Sequence, residues 1–319
     1  MHCPACTTEL PDDDLFCESC GASLLQGSLP ASDCKCGASP AHVDDDGFCL
    51  NCGRRVKRPA SDHMEESLSP AFAAVSDRGL RHDRNEDRFS VWASGESHVM
   101  VVCDGVSATR KSEIASQTVA EATAASLSEA LRVGRLSEPE SAMRNAIKTG
   151  AARLAEKTPR EERENAPSTT VVAAALLERS EVILGWLGDS RAYWIDHNGA
   201  SPLTRDHSWV NEMVSAGEMS LAAAEASPQA HGITRWIGAD ADPDLNPEIV
   251  RHRIEGPGTL LLCTDGLWNY THTNEDMATL LREAGAEGQD ALAIARRLVQ
   301  FANEQGGQDN ITVAVLRFT

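Results

Sequence analysis

His98-Val99-Met100-Val101-Val102-Cys103-Asp104-Gly105 and Thr259-Leu260-Leu261-Leu262-Cys263-Thr264-Asp265-Gly266 are near copies of each other. Each is an apolar run of strand length that closes on Asp-Gly. Carboxylates carried to strand ends can meet on one rim and hold hard divalent cations. Three more stretches place a carboxylate beside Gly or Asn at the edge of an apolar run: Arg84-Asn85-Glu86-Asp87, Gly188-Asp189-Ser190-Arg191 and Asp309-Asn310. A single Asp-Gly is ordinarily a turn, but five such edges in one region point to a shared site. Glu86, Asp87, Asp104, Asp189, Asp265 and Asp309 on one rim would repel one another unless cations sat between them. The set contains no His or Cys, which suits Mg²⁺ or Mn²⁺ rather than zinc. Gly105 can add its backbone carbonyl, because no side chain blocks the approach. Two such cations roughly 3.5–4 Å apart clamp a phosphoryl group and bring a bound water's pKa near neutrality.

Around these edges the pattern is mixed. Strand-like runs cover Phe72–Val75, Arg88–Ala93, Val99–Cys103, Thr169–Leu177, Val182–Leu187, Ala192–Ile195, Thr259–Thr264 and Ile311–Phe318. Helical periodicity covers Lys111–Val133, Glu138–Leu154, Asn274–Ala284 and Gln289–Glu304. Strands in groups with helices in pairs predict an α+β layered sandwich over residues 70–319 rather than a regular βαβ alternation.

The N-terminal region differs. Eight of the ten cysteines lie in tight pairs, Cys3/Cys6, Cys17/Cys20, Cys34/Cys36 and Cys49/Cys52. The spacing is C-x2-C-x10-C-x2-C, then C-x-C-x12-C-x2-C, an internal repeat of one small unit. Gly follows the second Cys at Gly21, Gly37 and Gly53, where a thiolate knuckle needs a tight turn. Four thiolates per unit fit one tetrahedral zinc, with no open position for catalysis. Disulfides are the rival pairing, and nothing in the sequence suggests an oxidising compartment. Units this small cannot build a sufficient core, so residues 1–53 are expected to be two zinc ribbons that fold with two structural Zn²⁺. Residues 54–69 are polar and aperiodic, and predict a linker. Cys103 and Cys263, in the two apolar runs, are expected to be inert buried thiols.

The chain has 319 residues and a formal charge of −19. That balance argues against nucleic acid as a partner, and residues 1–58 are themselves net acidic at −4. No apolar run approaches the ~20 residues of a membrane span, and no secretory signal pattern opens the chain. A cytoplasmic protein with no membrane partner is expected.

The succession RNED, VVCDGVS, STT, GDSRAYW, LTRDHS, ITRWIG, LLCTDGLW and GGQDNITVAV resembles the metal-dependent protein serine/threonine phosphatases of type 2C. The resemblance spans about residues 70–319. It implies a four-layer α-β-β-α sandwich with two or three Mn²⁺ or Mg²⁺ in a cleft at one end. By position, Asp104 would bridge two metals, Asp265 and Asp309 would hold the first, and Glu86 with the Gly105 carbonyl the second. Asp87 would orient a metal-bound water. Asp189 would join Asp265 at a third, weaker site, and Asn310 would lie behind the ligands. The implied activity is hydrolysis of phosphoserine or phosphothreonine by a metal-activated water, without a covalent enzyme intermediate. Asp87, Asp104, Asp265 and Asp309 would be the catalytic set.

Two features depart from that pattern. His82 stands where the family commonly has a phosphate-gripping Arg, which leaves Arg81, His82 and Arg84 as phosphate-binding candidates. Val106 stands where eukaryotic members have a His proposed as general acid, so the sequence names no proton donor for the leaving oxygen. His207 and His231 border a segment matching the family's variable flap, and packing or surface roles are expected for both. On this basis the substrate is a phosphoprotein, and the ribbons dock or regulate a protein partner, the cognate serine/threonine kinase being one candidate. The competing expectation is a catalytically silent phosphatase-like scaffold whose ribbons act as an interaction adaptor.

Overall fold

The two Asp-Gly runs end up in different sheets. In the computed structural model the described residues are 36–38, 42–43, 49–53, 60–133, 138–159, 165–177, 180–230, 232–238, 245–286 and 289–319. The chain divides into two units, Met1–Pro59 and Ala60–Thr319.

In the second unit the strands are β1 (His63–Ser69), β2 (Phe72–Asp77), β3 (Arg88–Ser94), β4 (Ser97–Cys103), β5 (Ser168–Thr169), β6 (Val171–Leu177), β7 (Glu181–Leu187), β8 (Arg191–Asp196), β9 (Gly199–Pro202), β10 (Ile237–Gly238), β11 (Glu248–Arg253), β12 (Gly258–Cys263) and β13 (Ile311–Phe318). The helices are α1 (Ser112–Arg132), α2 (Pro139–Lys157), α3 (Trp209–Ser215), α4 (Leu221–Glu225), α5 (Asp265–Trp268), α6 (Asn274–Ala284) and α7 (Ala291–Glu304). One antiparallel sheet runs β1-β2-β13-β12-β8-β9 and the other β11-β7-β6-β4-β3, with a short β10-β5 pair beside them.

The sheets stack face to face. Met100, Val102, Leu184, Leu260 and Leu262 meet between them. On the outer faces Val99 and Val101 pack against Val119, Leu127 and Ile147 of α1 and α2, while Leu261 and Val313 pack against Ile294 and Leu298 of α7. Both faces of each central strand are therefore buried, which is why these strands read as continuous apolar runs rather than alternations. The α-β-β-α layering predicted from the sequence is what the chain adopts.

The linker expected over 54–69 is corrected for its second half. Ala60–Asp62 form a 3-10 turn, and His63–Ser69 is an edge strand paired with β2 from His63↔Asp77 to Ser69↔Phe72. Most of its side chains are exposed, so it carries no apolar period. Its place is fixed by the backbone ladder, by Arg296 gripping the Glu65 carboxylate, and by His63 Nδ1 lying 2.7 Å from Asp77 Oδ2. Residues 54–59 lie outside the described residues. Among the described residues no helix is long and apolar enough to cross a membrane.

Candidate active site and metal centres

Strand register brings the acidic edges to one end of the sandwich. Cys103, the last residue of β4, pairs with Arg88, the first of β3, so Asp104 lies beside the Glu86-Asp87 turn. Cys263, the last of β12, pairs with Val313 near the start of β13, so Asp265 lies beside Asp309. Cys263 also pairs with Arg191, and the turn from β7 to β8 delivers Asp189 to the same place. Asp104, Gly105, Asp189, Asp265 and Asp309 line one cleft of about 570 Å³, together with Ser107, Thr170, Asn269, Tyr270 and Gln308.

Both Asp-Gly glycines are forced by close approach. A Cβ on Gly266 would stand 1.9 Å from the Asn310 carbonyl oxygen, and one on Gly105 would stand 2.6 Å from the Glu86 carbonyl oxygen. The Asp104 backbone is held from both sides: its N–H donates to Thr170 Oγ1 at 3.1 Å and its carbonyl accepts from Thr169 Oγ1 at 2.7 Å. Asn269 Nδ2 donates to Asp265 Oδ2 at 3.2 Å. Arg191 is spent within the fold, donating from Nε and Nη2 to Asp206 and stacking 3.6 Å above the Trp268 ring.

The site is electrostatically costly. Burial first, then the charges of Asp87 and Asp265, push Asp104 well above the carboxylate range. Burial, then Asp189 and Asp309, do the same to Asp265, whose carboxyl also hydrogen-bonds that of Asp104. Burial and the nearby Asp206 raise Asp189 to about 6. Burial and Asp309 raise Asp87 to about 7, against the pull of hydrogen bonds from Thr264 and Thr312. Among the described residues no three carboxylates draw their oxygens within 4.8 Å of one another.

The other expected residues sit around this cleft. Asp87 is 1% exposed and lies beneath the rim, accepting from Thr264 Oγ1 at 2.8 Å. The Glu86 carboxylate accepts from Ser112 Oγ at 2.7 Å and from Ser107 Oγ, so it meets the cleft through Ser107. His82 Nε2 stands 3.2 Å from Asp309 Oδ1, while Arg81 and Arg84 are exposed. Asn310, buried behind the ligands, clamps the whole turn: Nδ2 donates to the Arg78 and Arg84 carbonyls, and Oδ1 accepts the Glu86 N–H at 2.7 Å. His207 is a packing residue, as expected. It is buried, stacks on Trp186, and accepts the Gly188 N–H at Nδ1. His231 lies outside the described residues.

The raised carboxyls give the metal-free protein a definite pH dependence. In the fold they keep protons that the unfolded chain has released, so their contribution is fullest below the ordinary carboxylate range and is lost as pH rises through about 6 for Asp189 and about 7 for Asp87. All six tryptophans lie in the second unit, so their emission reports that unit alone. With metal removed, the urea midpoint followed by tryptophan emission is expected to be lower near pH ~8 than near pH ~5.5, and added Mn²⁺ to reverse the order. A midpoint that climbs with pH in the metal-free protein contradicts this.

In the first unit the sulfurs of Cys36, Cys49 and Cys52 lie within 4.8 Å of one another. Cys36 Sγ and Cys49 Sγ are 3.6 Å apart, far beyond a disulfide and near the roughly 3.8 Å edge of a tetrahedron with zinc–sulfur bonds of ~2.3 Å. Gly37 and Gly53 take φ of 81° and 69°, the left-handed turn expected after each knuckle. Cys3, Cys6, Cys17, Cys20 and Cys34 lie outside the described residues.

Residues 79–303 match the family model described as protein phosphatase 2C, and residues 2–24 match a zinc-ribbon domain model. The chain is 29% identical over 242 residues to the serine/threonine phosphatase stp of Listeria welshimeri serovar 6b, covering 76% of this chain and 93% of that one. It superposes on the S. agalactiae serine/threonine phosphatase structure with a TM-score of 0.66 at 28% identity, covering 80% of this chain and 100% of that one. It is also similar to the catalytic domain of the serine threonine protein phosphatase PstP solved in complex with 2 manganese ions, with a TM-score of 0.59, 25% identity, and coverage of 78% and 98%.

Proposed function

Because the chain belongs to the protein phosphatase 2C family of metal-dependent serine/threonine phosphatases, we propose that its cleft hydrolyses phosphoserine or phosphothreonine in a protein substrate, with Mn²⁺ or Mg²⁺ held by the converging carboxylates. The observation that carries this is the meeting of Asp104, Asp189, Asp265 and Asp309 in one cleft. Unpaired buried charge is costly, and the all-oxygen donor set suits hard divalent cations. Asp104, Asp265 and Asp309 would hold the core pair, the Gly105 carbonyl and Glu86 would complete the second position, and Asp189 with Asp265 a third. When bound, the cations would neutralise charge on the transferring phosphoryl group and supply an activated water.

The chain's own residues do the positioning. Thr169 and Thr170 preset Asp104, Asn269 orients Asp265, and His82 steadies Asp309. Asp87, fixed by Thr264, supports these ligands from below. Among Arg81, His82 and Arg84 the substrate phosphate is assigned first to His82, whose imidazole already reaches a cleft-lining ligand. The silent-scaffold alternative has less support, since every carboxylate of the expected set is present. The test is turnover of an aryl phosphate and of a phosphothreonine peptide by the full chain with Mn²⁺. Inertness toward both overturns the proposal.

For the first unit we propose two zinc ribbons, each closed by four cysteines, that dock a protein partner. Cys49→Ser is expected to lower bound zinc from two to one per chain, measured by chromophoric chelator release, because a three-thiolate site binds far more weakly. Aryl phosphate turnover should stay unchanged in that variant. A change in small-substrate rate would mean that the ribbons act on catalysis rather than on docking.

A further inference from the structure

Tyr270 brings to the cleft a hydroxyl whose proton no described residue accepts. Among the described residues three hydroxyl side chains line the cleft: Ser107, Thr170 and Tyr270. Ser107 Oγ donates to the Glu86 carboxylate. Thr170 Oγ1 pairs with Ser190 Oγ at 2.8 Å while accepting the Asp104 N–H. Tyr270 differs. Its oxygen accepts the Gln308 N–H at 3.0 Å, which pins the phenol to the turn that carries Asp309. Among the described residues none accepts the Tyr270 proton. Its backbone is held just past the end of α5 by the Tyr270 N–H donating to the Leu267 carbonyl at 3.1 Å, five residues beyond Asp265, on which that short helix opens. The phenol is therefore pinned to Gln308, next to Asp309, in the cleft that Asp265 also lines, with a spare donor.

The geometry points to Tyr270 as the proton donor to the leaving oxygen of the substrate. As a water oxygen bonds to phosphorus and the P–O ester bond breaks, the electron pair of the broken bond passes to the serine or threonine oxygen, which takes the Tyr270 proton and leaves as the alcohol, with inorganic phosphate as the other product. The phenolate is stabilised by the Gln308 N–H and regains a proton from solvent once the product has gone. A phenol is a stronger acid than the alcohol it protonates, so the transfer is downhill as charge develops. This rests on the phosphatase reading above.

The test exploits leaving-group chemistry. p-Nitrophenolate leaves without a proton, whereas a threonine alkoxide needs one. Tyr270→Phe keeps the ring and removes only the hydroxyl. With Mn²⁺ it is expected to lower kcat on a phosphothreonine peptide about 10²-fold while changing kcat on p-nitrophenyl phosphate by no more than about threefold. Loss of the Gln308 anchor alone would slow both substrates equally, so an equal fall on both overturns the assignment, as does no fall on either. A wild-type chain inert toward both substrates overturns this assignment and the phosphatase reading together.

Discussion

Asp104→Asn and Asp265→Asn are each expected to lower Mn²⁺-dependent phosphatase activity about 10³-fold or more, because metal ions supply several kcal/mol of transition-state stabilisation. The same variants are expected to make the metal-free protein more stable. The wild-type carboxyls are half-buried, repel their neighbours and hydrogen-bond each other, and both are driven toward their neutral forms. An amide of the same shape removes the charge and keeps a donor for the partner carboxylate. The gain should be about 1–2 kcal/mol near neutral pH, read as a rise of a few degrees in Tm. Mn²⁺ should raise the Tm of the wild type and not that of the variants. A variant that loses activity because it unfolds, or one that keeps activity, contradicts this assignment.

Asn310→Ala is expected to destabilise the second unit by about 3–5 kcal/mol, measured by urea unfolding. The side chain is 2% exposed and is the single bridge among three backbone groups of the turn that precedes β3. Truncation leaves the Glu86 N–H and the Arg78 and Arg84 carbonyls without that partner, and the turn that presents His82, Glu86 and Asp87 loses its anchor to β13. Asn310→Asp should not rescue it, because a carboxylate cannot donate to the two carbonyls and adds charge next to Asp309. A loss below about 1 kcal/mol would show that the turn is held by other means.

The layered fold was legible because its central strands are buried on both faces, so Val99–Cys103 and Thr259–Cys263 stand out as apolar runs. Helix α6 was legible from its helical periodicity, and the structure closes its start with a Thr273/Asp276 capping box. The strands that escaped are edges. β1 and β11 are largely exposed and are stabilised by backbone ladders, which leave no period in the side chains. Helices α3 and α4, in the variable flap, are seven and five residues long and bury little beyond Ala224, so periodicity had nothing to register. The acidic set of the site was legible because Asp-Gly and Asp-Asn edges are local. Its supports were not. His82 at Asp309, Asn310 across the 78–86 turn, and Arg191 on Asp206 are polar pairings made by the fold between residues distant in the chain. The edge strand also moves the boundary of the catalytic unit: a cut at residue 70, where the layered sandwich was expected to begin, would remove β1, whereas one at 60 follows the division of the chain.

The claim on which the rest depends is that the acidic cleft is a divalent-cation site rather than a cluster of structural carboxylates. Calorimetric titration of Mn²⁺ into the full chain already loaded with zinc addresses it without any substrate. Two or three Mn²⁺ per chain, bound with release of protons near neutral pH and lost in Asp104→Asn, are expected. A wild-type chain that binds no Mn²⁺ beyond the zinc ribbons, or an Asp104→Asn chain that binds it as well as the wild type, would contradict the site.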